Sequence, residues 1–247
     1  MKRFGLIGYP LGHSFSKKYF TEKFEKEGIE DCEYELYPLE AIDELPNLIK
    51  SEKGLVGLNV TIPYKEQVIK FLDEVDPKAE SIGAVNTIKV QGKKLKGYNT
   101  DYLGFKESLV KFVGSNPMPE KALILGTGGA SKAVKAALDD LGIDYQFVSR
   151  NPSEGELSYG ALNTHDSILN TAKLIINTTP LGTAPNTEAL PDLPYHQLTE
   201  QHYLYDLVYN PLTTAFIQKG IEARCWVKNG LEMLHGQAEA AWEIWNG

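Results

Sequence analysis

Four short polar segments each lie where a strand-like apolar run ends: Gly8 to Ser16 (GYPLGHSFS), Asn59 to Lys65 (NVTIPYK), Gly83 to Thr87 (GAVNT) and Gly97 to Asp101 (GYNTD). Together they offer Ser14, Ser16, Thr61, Asn86 and Asp101, with Asn59 and Asn99 beside them. Such a ring of donors and acceptors suits a small polyhydroxylated ligand. Taken singly, Ser14, Ser16 and Asp101 are good helix caps, and the asparagines are good turn residues. Lys65 is the candidate acid–base group. It falls in the first turn of a helix expected from Pro63 to about Val75, where the positive end of the helix dipole opposes its charged form. A lone lysine is equally well read as a surface cation. His13 and His235 are the nearest histidines, and no His, Cys, Asp or Glu spacing points to a metal.

Downstream, Gly126-Thr127-Gly128-Gly129-Ala130-Ser131 lies between a short apolar strand and a helix. Glycines there permit a tight turn and close approach of backbone N–H groups to a pyrophosphate at a helix N-terminus. The third glycine of the usual fingerprint is replaced by Ser131, so the packing has to tolerate a hydroxymethyl group. The next strand ends in Ser149-Arg150-Asn151, with no acid until Glu154. NAD sites commonly place a carboxylate at that point, whereas a guanidinium suits a 2′-phosphate. NADP is therefore the expected cofactor, and hydride transfer to or from a hydroxylated molecule the expected chemistry. A solvated surface arginine is the plain alternative.

The elements that must position these groups alternate. Strands are expected at 4–8, 34–39, 55–60, 87–90, 94–98, 122–125, 145–149, 174–177, 204–208 and 225–227. Helices are expected at 17–27, 63–75, 102–112, 131–141, 165–171, 213–219 and 231–245. Gln91-Gly92-Lys93 reads as a hairpin turn, and Gly114 to Pro119 as a linker. The chain is thus α/β, with right-handed parallel crossovers expected. Its 247 residues allow one large domain or two modest ones. A net charge of -8, from 33 acidic and 25 basic residues, argues against a nucleic-acid or anionic-membrane partner. Cys32 and Cys225 are too few for a disulfide scaffold, and no apolar run is long enough to span a bilayer, so a cytoplasmic location is expected.

The four polar segments resemble the signature segments of the shikimate dehydrogenase family. The resemblance continues through Gly126 to Ser131, Asn177-Thr178-Thr179-Pro180, Asp206 to Pro211 (DLVYNP) and Asn229 to Ala238 (NGLEMLHGQA), in the family's order over essentially the whole chain. It implies NADPH-dependent interconversion of 3-dehydroshikimate and shikimate, on the route to chorismate and the aromatic amino acids. It also implies that Lys65 is the acid–base residue, paired with Asp101. Ser14, Ser16, Thr61, Asn86, Asp101 and Gln237 would hold the substrate, with Tyr209 lining the site. Gly126, Thr127, Gly128, Gly129, Ala130, Ser149, Arg150, Leu207 and Gly230 would hold the cofactor.

The fold it implies has two domains. Residues 1–101, completed by the helix 231–247, would form an α/β substrate domain with a mostly parallel sheet. Residues 102–230, entered through a connecting helix at 102–112, would form a Rossmann-type domain. The protein would be a monomer or a homodimer. Family members that use NADP often carry a second basic residue soon after the arginine, where this chain has Pro152-Ser153-Glu154. Segment 149–158 is also short and irregular for the usual helix. Three alternatives stand beside this reading: a quinate/shikimate dehydrogenase with dual substrates or NAD use, a non-catalytic sensor of the same ligands, and a folate-type or other dehydrogenase on a similar plan. Retention of both Lys65 and Asp101 speaks against the sensor.

Overall fold

Among the described residues, the apolar runs form twelve strands in two six-stranded sheets. A computed structural model describes residues 1–12, 14–164 and 167–247. His13, His165 and Asp166 lie outside the described residues, including one candidate histidine and the start of the helix expected at 165–171. The chain divides into two compact units, Met1–Thr100 with Ala238–Gly247, and Asp101–Gln237.

In the first unit the strands are β1 (Lys2–Gly8), β2 (Cys32–Pro38), β3 (Leu55–Val60), β4 (Glu74–Val75), β5 (Thr87–Gln91) and β6 (Lys94–Tyr98). Their order is β2-β1-β3-β5-β6-β4. β2, β1 and β3 are parallel, β5 runs antiparallel to β3 and β6, and β4 is parallel to β6. The helices are α1 (Phe15–Glu27), α2 (Leu45–Ser51) and α3 (Pro77–Ile82). Each boundary has a local cause. Ser14 caps α1 by accepting from the Lys17 N–H, and Gly28 closes it at φ 62°. Asp76 caps α3 ahead of Pro77, and Gly83 ends it at φ 71°. Alternation along β1 sends Phe4 and Leu6 to one face of the sheet and Ile7 to the other. The first face is packed by Phe20 and Phe24 of α1 and by Ala238, Ala241 and Trp245.

The helix expected from Pro63 to Val75 does not form. Residues 62–66 make a turn, and Gln67–Phe71 a 3-10 segment that leads into β4. Tertiary bonds override the helical spacing. The Lys65 carbonyl accepts from the Val85 N–H at 2.7 Å, so it is already engaged outside the segment. The buried Tyr64 hydroxyl donates to the Leu39 carbonyl at 2.6 Å. At the far end the Asp73 N–H and carboxylate both bond Leu95. Lys65 therefore stands in a turn, and the helix-dipole argument does not apply to it.

The second unit holds β7 (Lys121–Leu125), β8 (Asp144–Ser149), β9 (Leu157–Ser158), β10 (Leu174–Asn177), β11 (Tyr203–Asp206) and β12 (Trp226–Lys228). The order β9-β8-β7-β10-β11-β12 is wholly parallel and reverses direction of progress at β7, the doubly wound dinucleotide-binding pattern. Its helices are α4 (Thr100–Val113), α5 (Gly129–Leu141), α6 (Tyr159–Thr164), α7 (Ser167–Thr171) and α8 (Ala215–Glu222). α9 (Leu231–Asn246) begins in this unit and ends in the first. The central strand β7 is apolar on both faces, as a covered parallel strand should be. β11 stops at Asp206, short of the expected Val208, because the Asp206 carboxylate takes the Val208 N–H at 3.0 Å. The expected irregular stretch after β8 is present, with a loop, the two-residue β9 and then α6 in place of a long helix.

Trp245 tests the packing of the first sheet. It is buried, its indole N–H donates to the Ile88 carbonyl at 3.0 Å, and its ring sits 4.9 Å from that of Phe4. Trp245→Ala should cost on the order of 3–5 kcal/mol in urea unfolding, the range for emptying a large aromatic site. A loss under about 1 kcal/mol would mean that the site collapses freely.

Candidate active site

In the first unit one side chain gathers the polar segments. Asn86 is 3% exposed and its Oδ1 accepts from the Thr100 N–H at 2.7 Å, and from the Thr100 and Thr87 hydroxyls at 3.2 Å each. The donating backbone N–H fixes which amide atom is oxygen. Asn86 also binds through its backbone, donating to Tyr98 and accepting from Val60. Its neighbour Val85 holds the Lys65 carbonyl, and the residue after Thr100 is Asp101. The segments carrying Lys65, Asn86 and Asp101 are thus joined through one hydrogen-bonded hub.

Asn59 extends that hub. Its Nδ2 donates to the Asn86 carbonyl and the Thr87 hydroxyl, and its Oδ1 accepts from the Tyr34 hydroxyl at 2.7 Å. Ser16 hydrogen-bonds the same Tyr34 hydroxyl, while burial pushes that phenol well above its usual pKa. Asn99 donates to the Ala84 carbonyl at 2.9 Å. Asn59 and Asn99 thus hold the scaffold. Thr61 is fixed by its N–H to Ile7, and its methyl group lies against Gly8, where no Cβ would fit. Ser14 is the α1 cap with its hydroxyl oxygen on Lys17. Tyr34, Thr87 and Thr100 join the hub beyond the residues expected from the sequence: Thr87 and Thr100 lie inside the polar segments, whereas Tyr34 carries only the signal of a strand position.

In the second unit Asp101 occupies the first turn of α4, where a carboxylate suits the helix dipole. Gln237 is buried on α9, with its Nε2 donating to the Leu234 carbonyl at 2.9 Å. α9 meets α4 at Gly104, where a Cβ would press on the Gln237 backbone at 2.7 Å. Tyr209 is 39% exposed in the loop after β11.

The glycine turn borders a cavity of about 490 Å³. Gly126, Thr127, Gly128, Ser149 and Arg150 all line it. Gly126 adopts φ +99° and packs against Thr178 and Thr179, so only glycine fits there. Space is open where a Cβ would stand on Gly128 or Gly129, as a backbone cradle for phosphate requires. Ser131 is accommodated because its hydroxyl donates to the Gly128 carbonyl at 2.6 Å. The residues present therefore fit a dinucleotide. Gly129 and Ala130 open α5 behind the turn. Leu207 and Gly230 are packed on one another, with no room for a Cβ on Gly230, and are not among the cavity's lining residues. Tyr159, Thr178, Thr179 and Asp192 also line it and were not assigned from the sequence.

In the same unit Asp206 is fully buried and accepts from Asn177 Nδ2 at 2.9 Å, the Val208 N–H at 3.0 Å and the Thr214 hydroxyl at 2.5 Å. It ties the ends of β10 and β11 to the cap of α8. Burial pushes its carboxyl from the ordinary 3.8 up to about 6, against the pull of its three donors.

The shikimate dehydrogenase substrate binding domain model matches residues 6–88. The shikimate dehydrogenase (NADP(+)) of Halothermothrix orenii is 39% identical over 268 residues, which cover 98% of this chain and 90% of that one. Among solved structures, shikimate 5-dehydrogenase from Thermus thermophilus in complex with NADP(H) and shikimate is 32% identical. It has a TM-score of 0.84 and covers 100% of this chain and 94% of that one. The enzyme from Listeria monocytogenes in complex with shikimate and NAD is 28% identical, with a TM-score of 0.86 and coverages of 99% and 91%. The chain belongs to the shikimate dehydrogenase family.

The Asp206 geometry predicts a pH dependence. The folded state holds this proton more tightly than the unfolded chain does. The stability it contributes is therefore complete below about pH 4 and declines as pH rises through about 6. Relative to Asp206→Asn, the native chain should lose on the order of 3 kcal/mol between pH 4 and pH 7. Urea titrations of both proteins across that range measure it, and a flat difference would refute the raised carboxyl.

Proposed function

We propose that the chain is an NADP-dependent oxidoreductase that reversibly reduces 3-dehydroshikimate to shikimate. The observation that carries this reading is the Asn86 hub, which joins the Lys65 and Asp101 segments in a chain of this family. When bound, NADPH supplies the hydride. Lys65 supplies the proton to the oxygen that gains charge as the ketone is reduced, and takes it back in the reverse direction. Asp101 orients the Lys65 ammonium and accepts from a substrate hydroxyl.

Ser14, Ser16, Thr61, Asn86 and Gln237 hold the substrate's hydroxyls and carboxylate, and Tyr209 walls the site. The hub supports the assignment of Asn86 in particular. Its Oδ1 is committed to three internal donors, so what it can offer the ligand in this reading is its amide N–H groups. We assign residues 1–101 with the helix 231–247 to the substrate and residues 102–230 to the cofactor, which leaves Asp101 and Gln237, the first and last residues of the compact unit Asp101–Gln237, on the substrate side. Gly126 to Ala130 hold the pyrophosphate, with Ser149 and Arg150 at the adenosine end. Cys32 and Cys225 are both free thiols, which suits a reducing cytoplasm.

One observation favours a second reading, in which NAD is also used. The Asp192 carboxylate lines the same cavity as Arg150 and suits an unmodified ribose hydroxyl.

Absorbance at 340 nm with shikimate and either NADP or NAD tests the activity and its cofactor; no turnover with either would overturn the reading. Lys65→Ala should lower kcat roughly 100-fold or more, the usual range for a general acid–base group, with a smaller change in shikimate affinity. Near-normal kcat would reduce Lys65 to a surface cation.

Arg150→Asp should raise KM for NADP steeply while leaving that for NAD level or lower, because it removes the guanidinium and sets a carboxylate against the phosphate. An unchanged ratio of kcat/KM for the two cofactors would remove Arg150 from the site.

A further inference from the structure

Arg150 and Tyr159 are separated by an irregular loop in sequence, yet strand pairing makes them neighbours. β9 runs parallel to β8, with Val148 opposite Leu157 and Ser149 opposite Ser158. Arg150 and Tyr159 therefore leave the two strands at the same level, and paired strands lie about 5 Å apart. The loop between them, residues 150–156, is far shorter than a usual parallel crossover. Gln146 on β8 closes it by donating through Nε2 to the Gly155 carbonyl. Ser158 then starts α6, its hydroxyl accepting from the Ala161 N–H at 3.1 Å, so Tyr159 is held at a defined helix start.

Tyr159 lines the same cavity as Ser149 and Arg150. Its phenol is half-buried, and burial raises its pKa. The Arg150 guanidinium acts in the opposite direction, and the Asp192 carboxylate, also on the cavity, raises the pKa further. The phenol is therefore a neutral O–H, a donor at any working pH. The cation and the carboxylate offset one another here, so net charge alone discriminates weakly between a ribose hydroxyl and a phosphate. A hydroxyl donor adds the missing selectivity, because its bond to an ionised phosphate oxygen is much stronger than its bond to a neutral hydroxyl.

We propose that Tyr159 is a specificity-determining residue of this cavity, donating its hydroxyl to the 2′-phosphate of the nicotinamide adenine dinucleotide beside Arg150. It does the work of a second cation, which the loop 150–156 lacks. The inference rests on reading the cavity as the NADP site.

Calorimetric titration of the full chain with NADP⁺ and with NAD⁺ tests it. Tyr159→Phe keeps the ring and removes only the donor. It should weaken NADP⁺ binding roughly 10-fold or more and leave NAD⁺ binding within about twofold. Tyr159→Lys restores a donor and should recover NADP⁺ binding without strengthening NAD⁺ binding. Equal losses for both cofactors, no loss for either, or no recovery with lysine would overturn the role of Tyr159. Failure of the native chain itself to bind NADP⁺ would instead overturn the reading of the cavity. Thermal unfolding of each variant near the native midpoint establishes that the fold is intact, and lysine serves as the test should phenylalanine unfold.

Discussion

The Asn86 carboxamide is the constraint on which the first unit's polar end depends. One oxygen takes a backbone N–H from the start of α4 and two threonine hydroxyls. A buried carbonyl oxygen with three donors is close to saturated, and losing it would take the partner from the Thr100 N–H, at a cost of about 1–3 kcal/mol, while the Thr87 and Thr100 hydroxyls would keep their mutual bond at 3.1 Å. The antiparallel turn of the sheet at β5 makes this possible. β5 starts where β3 ends, with Asn59 opposite Thr87, so the polar end of one strand meets the polar start of the next. The Lys65 turn hangs on the same point through Val85. The bonds that hold the Lys65 turn in place run through backbone as well as side chains.

The second unit solves a similar problem with a charge. Asp206 stands at the end of β11, next to the Asn177 end of β10, and binds a side chain, a backbone N–H and a helix cap at once. Asn177 in turn accepts from the Thr179 N–H and hydroxyl, at 3.0 and 2.6 Å, with Oδ1 fixed by its Nδ2 bond to Asp206. Thr179 packs on Gly126. A continuous set of contacts thus runs from a buried carboxyl to the glycine turn, and a fully buried carboxyl is an expensive anchor unless its oxygens are occupied.

Most of the fold was legible because most of its signals are local. β3, β6 and β10 have the expected limits, and Ser14, Gly28 and Gly92 behave as cap and turn residues for reasons contained in a few neighbouring positions. The segment after Pro63 departs from the expected helix because its apolar spacing is helical, while its conformation is set by Leu39, Val85 and Leu95, all distant in sequence. The polar strand-end segments were legible by residue type. Their wiring was not, because an asparagine that holds a scaffold and one that meets a ligand look alike until their partners are known: Asn59 spends both ends of its amide on Tyr34, Asn86 and Thr87. Tyr159 was invisible for a different reason. Its place beside Arg150 comes from a two-residue strand, too short for any periodicity to announce.

These cases also dissolve an opposition posed by the sequence, in which each polar residue is either a cap or a ligand-binding group. A hydroxyl has one proton and two lone pairs, and a carboxamide has two donors and two acceptor positions. Ser14 spends a lone pair on the Lys17 N–H, a bond that does not use its proton. Asn86 spends its acceptor on three internal donors, bonds that do not use its own N–H groups. Structural bonds that use one half of a group's capacity also fix the direction of the other half, at no further ordering cost when a ligand arrives. A carboxamide whose acceptor positions are all taken by internal donors has only donors left to present. In the proposed reading, the internal bonding of Asn86 leaves its donors for acceptor atoms such as the hydroxyl and carboxylate oxygens of a polyhydroxylated acid.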